Sequence, residues 1–172
     1  IVSSSSGVGS AALQVAKHVV GATVIATTSS EKKANLSKSL GADEVVNYNS
    51  EDVIERVKEL TDGRGVDVVI DHVGTDAWAY SLPSLGVGGR YGICGVSSGY
   101  KAELQMGSLF LKNQTIFGSF MGKMADLPRI VELVARGVLK PMVHKTFPLR
   151  DAAKAHELME SREFFGKIIL EV

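Results

Sequence analysis

The sequence predicts an α/β fold built on a doubly wound, parallel, six-stranded sheet with helices on both faces. Short β-branched segments alternate with segments of helical apolar spacing, which is the pattern of such a sheet. A turn rich in Ser and Gly joins the first strand to the first helix, and Val66–Asp71 is apolar enough for a strand buried on both faces. The expected strand order is 3-2-1-4-5-6.

Each element is assigned from local pattern. The strands are predicted at 1–3, 23–28, 44–48, 66–71, 90–95 and 114–120, with a last strand at 167–170. Helices are predicted at 11–20, 31–40, 50–60, 77–85, 126–136 and 151–160. Gly21 and Gly41 stop the first two helices, and Ser30 caps the second.

Composition excludes several classes of protein. The chain has 172 residues, 45% of them hydrophobic, so a disordered chain is excluded. Its 19 basic and 19 acidic residues cancel, which argues against a nucleic-acid or acidic membrane surface. No apolar run approaches the length of a membrane span, no signal peptide is recognisable, and Cys94 is the single cysteine. These features predict a cytoplasmic protein.

The chain divides at Pro141, where the alternation of strands and helices changes. We expect residues 1–141 to form one domain with a truncated first strand, since 1–3 is short for a central strand. Residues 142–172 add a helix and a strand that have no place in six alternating strands. They are expected to belong to a different domain.

A phosphate cradle is predicted at the first turn. Ser4, Ser6 and Gly9 occupy the three glycine places of a Gly-x-Gly-x-x-Gly fingerprint, so only the last glycine is in register. Backbone N–H groups, serine hydroxyls and the helix dipole would then hold a pyrophosphate at Ser6, Gly7, Val8 and Gly9. A plain Gly/Ser turn has the same composition, but the place after the first strand of a βαβ unit favours a dinucleotide.

The end of the second strand favours NADP(H) over NAD(H). A carboxylate there would bind the ribose 2′-hydroxyl, and this strand has none. A 2′-phosphate would instead meet the hydroxyls of Thr28 and Ser29 and the ammonium groups of Lys32 and Lys33. The alternative is that both lysines are solvated surface charges.

An ordered set of motifs resembles the cofactor-binding half of the medium-chain dehydrogenase/reductase superfamily. The closer likeness is to its quinone oxidoreductase and zinc-type alcohol dehydrogenase-like members. The motifs, which together span almost the whole chain, are 6–17, 24–33, 39–43, 46–48, 65–71, 88–90, 139–141, 147–149, 152–156 and 165–170. Ser4 and Ser6 depart from the glycines of the dehydrogenase pattern.

The resemblance implies a Rossmann domain and roles for matching residues. Lys33 and Tyr48 would bind a 2′-phosphate, and Lys167 would reach the cofactor. Backbone following three strands would line the nicotinamide, at His72, Val73, Gly74, Gly95, Val96, Ser97, Thr115 and Phe117. A general-acid role for His72 is the alternative to this lining role.

The resemblance also implies what lies outside these residues. A GroES-like catalytic domain would precede them, would receive 142–172, and would carry any zinc and the substrate contacts. Two copies would pair along the sixth strand, because an uncovered apolar edge is a liability. We predict no metal ligands and no catalytic residue in this chain, and we expect Cys94 to be a small core residue and Tyr100 an exposed loop residue.

Three functions remain open at this stage. The first is hydride transfer between NADP(H) and a small quinone, carbonyl or activated alkene, with a zinc-dependent, NAD(H)-using alcohol dehydrogenase as the variant. The second is a dinucleotide-binding module without catalysis. The third is an unrelated α/β domain that uses the same turn for another ligand.

Overall fold

The computed structural model describes residues 1–172. Its strands are β1 (Ile25–Thr28), β2 (Glu44–Asn47), β3 (Val66–Asp71), β4 (Leu85–Ile93), β5 (Thr115–Gly118), β6 (Val143–Pro148) and β7 (Lys167–Glu171). Its α-helices are α1 (Gly7–Gln14), α2 (Glu31–Ser39), α3 (Val53–Leu60), α4 (Thr75–Ser81), α5 (Met106–Leu111), α6 (Leu127–Ala135) and α7 (Ala152–Ser161). This alternation is the α/β architecture that the sequence predicts.

The strands pair in parallel within three small sheets. β1 pairs with β2, β3 pairs with β4, β4 pairs with β5, and β6 pairs with β7. Thr28 lies opposite Asn47, while Asp71, Ile93 and Gly118 lie in one register. Because all the strands are parallel, their carboxyl ends collect at one edge in each sheet.

The predicted single sheet of six strands differs from what is observed. Residues 1–4 are not a regular strand, but they connect β1 to β3 through backbone hydrogen bonds: Val2 N–H donates to Ile70 O, and Ser4 N–H donates to Thr27 O. Thr27 N–H in turn donates to Ile1 O. The segment is too short to form a full ladder, so it links the two sheets without joining them into one.

The first helix begins four residues earlier than predicted. Ser6 caps α1, its side chain accepting from Gly9 N–H, so the glycine turn forms the first helical turn. From Val15 to Val20 the helix widens into a π-helix, and Gly21 ends it in the left-handed conformation at φ 77°. Sequence periodicity alone cannot distinguish this widened segment from an α-helix.

Two elements escape the sequence prediction, and one strand is longer than expected. α5 and β6 both lie in stretches for which the sequence predicts no element. β4 begins at Leu85, where the sequence predicts the end of a helix. Local pattern does not indicate this early start, because the glycines between Leu85 and Arg90 are weak strand formers. Cys94 follows β4 and is exposed, which corrects its expected place in the core.

The last thirty residues pack on the rest of the chain. Gly166 N–H donates to Ser5 O at 2.7 Å, and Gly166 forms an isolated parallel bridge with Ser6. Phe165 is buried with Leu13 in one core cluster. This docking brings the start of β7 to the start of α1.

The core lies between the sheets and the helices that cover them. The largest cluster contains Leu13, Val24, Ala26, Leu40, Ala42 and Phe165, and the next contains Val2, Val69, Ala77, Leu85 and Tyr91. No helix is long and apolar enough to cross a membrane.

Candidate functional site

The amino terminus of α1 is a tightly packed turn, called the cradle below. A Cβ at Gly9 would lie 2.8 Å from Ser4 Cα, and one at Gly7 would lie 2.6 Å from Lys167 Nζ. Glycine is therefore required at residue 9, where the neighbour is backbone, while at residue 7 the neighbour is the mobile end of the Lys167 side chain. No acidic side chain in the first turn offsets the positive end of the helix. The turn can therefore hold an anion.

Lys167 is the cation of this cradle. The Ser6–Gly166 bridge sets its backbone beside the turn, and Gly166 adopts φ 85°, a conformation that favours glycine. The side chain then extends along Gly7. The predicted Lys167 is thus brought together with the predicted Ser6, Gly7, Val8 and Gly9, and its ammonium group lies beside the first residue of α1.

His72 joins this cradle from the carboxyl end of β3. Its Nε2 lies 2.7 Å from Ser6 Oγ, and its Nδ1 is buried without a hydrogen-bond partner. Burial lowers the pKa of His72 below its ordinary value, Asp71 acts against this shift, and Lys167 adds to it. The ring is therefore held as neutral imidazole at neutral pH.

Asp71 fixes the turn that carries His72. Its fully buried carboxylate accepts from Val73 N–H at 2.7 Å, from Gly74 N–H at 3.2 Å and from the Tyr91 hydroxyl at 2.8 Å. Burial, and next the charge of Asp71, raise the pKa of Tyr91, which keeps its hydroxyl protonated as the donor. Asp71 therefore acts as an anchor for the backbone.

The loops after β3 and β4 are joined by hydrogen bonds. Ser98 N–H donates to Val73 O at 2.8 Å, and the Ser97 hydroxyl donates to His72 O at 3.3 Å. Gly74 adopts φ 89°, and a Cβ there would lie 2.7 Å from Gly99 O. A Cβ at Gly95 would likewise lie 2.9 Å from His72 O. The predicted set His72–Gly74 and Gly95–Ser97 thus forms one continuous backbone surface, with Val96 against Gly74.

A second group of predicted residues meets at the ends of β1 and β2. Tyr48 N–H donates to Thr28 O at 3.0 Å, and Lys33 Nζ lies 3.4 Å from Ser29 Oγ. Tyr48 is 39% exposed and stacks on Tyr80, with ring centroids 6.4 Å apart. The Thr28 side chain is buried and donates to Ser30 O, so only its backbone faces this end.

Arg162 is a neighbour of Lys33 that sequence reasoning missed. Lys33 Nζ donates to Arg162 O at 2.6 Å, and Arg162 ends α7 in the left-handed conformation at φ 59°. Burial lowers the pKa of Lys33, Glu163 opposes the shift, and Arg162 adds to it. A helix-terminal arginine 129 residues from Lys33 carries no local signal of this contact.

Thr115 lies apart from the other residues predicted to line the nicotinamide, whereas Phe117 lies one residue before the carboxyl end of β5. Thr115 begins β5 opposite Arg90, three residues before the carboxyl end of the strand. Phe117 lies opposite Gly92 with its ring against that glycine, and it is 42% exposed. Thr115 thus lies toward the opposite edge of the sheet from His72 and Gly95.

A cleft of about 680 Å³ is lined by none of the predicted residues. It lies between α4 and the segment before β5, and its walls include Trp78, Lys101 and Lys112. The chain has no group of three or more His, Cys, Asp or Glu side chains that could hold a metal ion. Tyr100, 91% exposed, lies in the loop as predicted.

The geometry fits a dinucleotide. The amino terminus of α1 presents the positive end of a helix, and Lys167 adds a charge beside Gly7. The ammonium group of Lys33 lies beside Ser29, just after β1, where a ribose would lie. The backbone segments 72–74 and 95–97 lie against each other at the carboxyl ends of β3 and β4. These are the parts of a Rossmann site at the carboxyl ends of parallel strands.

Comparison with known proteins agrees with this geometry. A family described as zinc-binding dehydrogenase matches residues 7–136. The 2-haloacrylate reductase of Burkholderia sp. is 37% identical over 95% of this chain and 52% of its own length. An NAD-dependent alcohol dehydrogenase structure has a TM-score of 0.93 at 43% identity, covering 99% of this chain and 50% of that one.

A second solved structure is that of Escherichia coli quinone oxidoreductase complexed with NADPH. It has a TM-score of 0.87 at 35% identity and covers 99% of this chain and 56% of that one. The chain thus spans about half the length of these relatives. It belongs to the zinc-binding dehydrogenase family, within the medium-chain dehydrogenase/reductase superfamily of oxidoreductases, and corresponds to their carboxyl-terminal, cofactor-binding portion.

Proposed function

We propose that this chain is the cofactor-binding part of an NADP(H)-dependent oxidoreductase. The enzyme moves hydride between the nicotinamide and a quinone, a carbonyl or alcohol, or an activated alkene. The observation that carries the proposal is the cradle at α1, where Ser6, Gly7, Gly9 and Lys167 surround the positive end of a helix. The cofactor supplies the hydride chemistry, and the protein binds and orients it.

Lys33 supports NADPH over NADH. Its ammonium group is fixed beside Ser29, and no carboxylate stands at the end of β1 to repel a 2′-phosphate. Arg162 ends α7 against the same lysine. Lys33 and Arg162 supply two positive charges and Glu163 one negative charge, so the net positive charge favours an added phosphate.

NAD(H) is the second candidate. A relative at 43% identity is an NAD-dependent alcohol dehydrogenase, so the fold of this chain is compatible with that cofactor too. The two candidates differ in the contribution of Lys33, which would bind the 2′-phosphate of NADPH and has no such group to bind in NADH.

The test is a titration of the 172-residue chain with NADPH and NADH, followed by nicotinamide fluorescence. We expect K33A to weaken NADPH by about tenfold and NADH by less than about twofold, since a charged hydrogen bond contributes roughly 1.5–3 kcal/mol. K38A removes the same charge from an exposed lysine in the last turn of α2 and serves as the control. Equal losses for both cofactors, or equal effects of K38A and K33A, contradict the assignment.

We further propose that the substrate and any zinc are bound outside residues 1–172. The chain covers about half of each relative, and it has no side-chain cluster able to hold a metal. Residues 142–172 would return to that other domain while they also dock on α1. A cytoplasmic location stays a prediction. So does a homodimer formed along the edge of β5, which is the predicted sixth strand.

A further inference from the structure

The Ser6 hydroxyl has more neighbours than it has protons. Its oxygen accepts from Gly9 N–H at 2.8 Å and lies 2.7 Å from His72 Nε2. If His72 Nε2 is bare, Ser6 must donate its one proton to the ring. If Nε2 carries the proton, the ring donates, and the Ser6 proton is free to point elsewhere.

The buried Nδ1 of His72 decides between these two tautomers. A neutral imidazole has one N–H, so a bare Nε2 would place that N–H at Nδ1, where it is buried without an acceptor. Orphaned buried N–H groups are rare in proteins, because the lost hydrogen bond is costly. An unprotonated Nδ1, by contrast, leaves no buried N–H donor without an acceptor. The Nε2–H tautomer is therefore favoured.

We propose that His72 is a positioning residue that turns the Ser6 hydroxyl proton toward a phosphate at the amino terminus of α1. The inference rests on the proposed dinucleotide function. His72 Nε2–H and Gly9 N–H occupy the two acceptor positions of Ser6 Oγ, and the remaining O–H becomes a donor in the cradle that Lys167 shares. Ser6 then offers an anion a hydroxyl donor at a place where the dehydrogenase fingerprint has glycine.

The backbone holds His72 for this task from both sides. The Asp71 carboxylate fixes the turn through Val73 N–H, and the carbonyl of His72 accepts from Ser97. The side chain of His72 thus contacts the cradle at Ser6, and its main chain is hydrogen-bonded to the loop after β4. His72 therefore connects the cradle to that loop.

The first test measures the tautomer directly. A long-range ¹H–¹⁵N spectrum of the uniformly labelled chain distinguishes protonated from bare ring nitrogens, with H72Q used to assign the signals. We expect a protonated Nε2 and a bare Nδ1 at neutral pH, both with and without NADPH. A protonated Nδ1 overturns the inference whether or not the cofactor binds.

The second test is a double-mutant cycle in cofactor affinity. We expect H72L and S6A each to weaken the binding of NADPH and of NADH by about tenfold, because both cofactors contain the pyrophosphate that would accept this charge-assisted hydrogen bond. The double variant should lose little more than either single one. H72Q, whose amide N–H reaches the place of Nε2, should restore affinity to within about threefold of the wild type.

Two controls separate this inference from simple damage to the fold. H18Q alters a histidine that contacts Leu40 O near the other end of the first helix, and it should leave affinity unchanged. Circular dichroism should show the same spectrum for all variants. Additive losses, or failure of H72Q to recover affinity while the wild type binds, overturn the inference alone. Absence of binding by the wild type overturns the proposed function instead.

Discussion

His72 shows how one residue is governed by its neighbours. Burial and the charge of Lys167 lower the pKa of its imidazole, while the charge of the buried Asp71 carboxylate raises it. Because the opposing effects are larger, the pKa lies below its ordinary value near 6.5. A neutral ring is what the contact with Ser6 requires.

Acidification should therefore destabilise the fold through His72. Between the folded pKa and 6.5 the unfolded chain binds more protons than the folded one, so the unfolding free energy rises with pH. This contribution is complete above pH 6.5 and is lost as the pH falls toward the folded pKa. Its slope is at most about 1.4 kcal/mol per pH unit.

Urea denaturation between pH 7.5 and pH 5.5 measures this effect. We expect H72Q to have a shallower dependence of the unfolding free energy on pH than the wild type has. H156Q removes an exposed histidine and should retain the wild-type slope. Parallel curves for H72Q and the wild type would show that His72 does not titrate differently on folding.

Within single helices, two glycines differ in how closely the rest of the chain packs around them. Gly9 lies in α1 against the backbone of residues 3 and 4, whereas an added Cβ at Gly107 in α5 meets nothing within 4 Å. Both positions have helical neighbours, so intrinsic propensity favours alanine equally at each. Only packing distinguishes them.

G107A and G9A should therefore have opposite effects on stability. We expect G107A to stabilise the chain by about 0.5–1 kcal/mol through helix propensity. G9A should destabilise it by about 1–3 kcal/mol, because the Cβ forces the turn away from residues 3 and 4. Chemical denaturation followed by circular dichroism gives both values, and a stable G9A would mean that the cradle is looser than described.

At the scale of the whole molecule, the apolar residues near β5 stand out. Phe110, Leu111, Phe120, Met121 and Met124 are each more than 75% exposed, and they lie before and after the strand. β5 pairs with β4 on one side only, so its other edge has free backbone groups. A large exposed apolar surface beside an open edge is typical of an interaction site.

The proposed homodimer gives this surface an occupant, and sedimentation velocity tests it. We expect F120E to raise the dimer dissociation constant by more than about tenfold, since an unpaired buried charge costs several kcal/mol. V20E adds the same charge at an exposed valine on the first helix and should leave the dimer intact. A wild-type chain that stays monomeric at every concentration contradicts the proposal.

Some properties were predictable because they depend on short stretches of sequence. The α/β alternation, the cap at Ser30 and the strand at Val66–Asp71 follow from periodicity and local hydrogen bonding. The π-helix, α5 and the early start of β4 were not predictable in the same way. There the competing conformations differ little in local preference, and packing selects among them.

The site divides in the same manner. Ser6–Gly9 and Lys33 could be proposed from their places after the first two strands, and Tyr48 from the resemblance to the superfamily. The Lys33–Arg162 contact and the clamp of Asp71 by Tyr91 join residues 129 and 20 positions apart, and no local pattern marks them. Thr115 was grouped with residues that the structure leaves apart.

The sequence by itself determined the class of fold, the family and the turn at which an anion can be held, because repeating patterns and glycine spacing act over a few residues. Only the tertiary structure decided which charges meet. The Ser6–Gly166 bridge brings Lys167 over Gly7, and the end of β3 brings His72 to Ser6. Hydrogen bonds and ion contacts act within a few ångströms, so their partners are known only when the chain has folded.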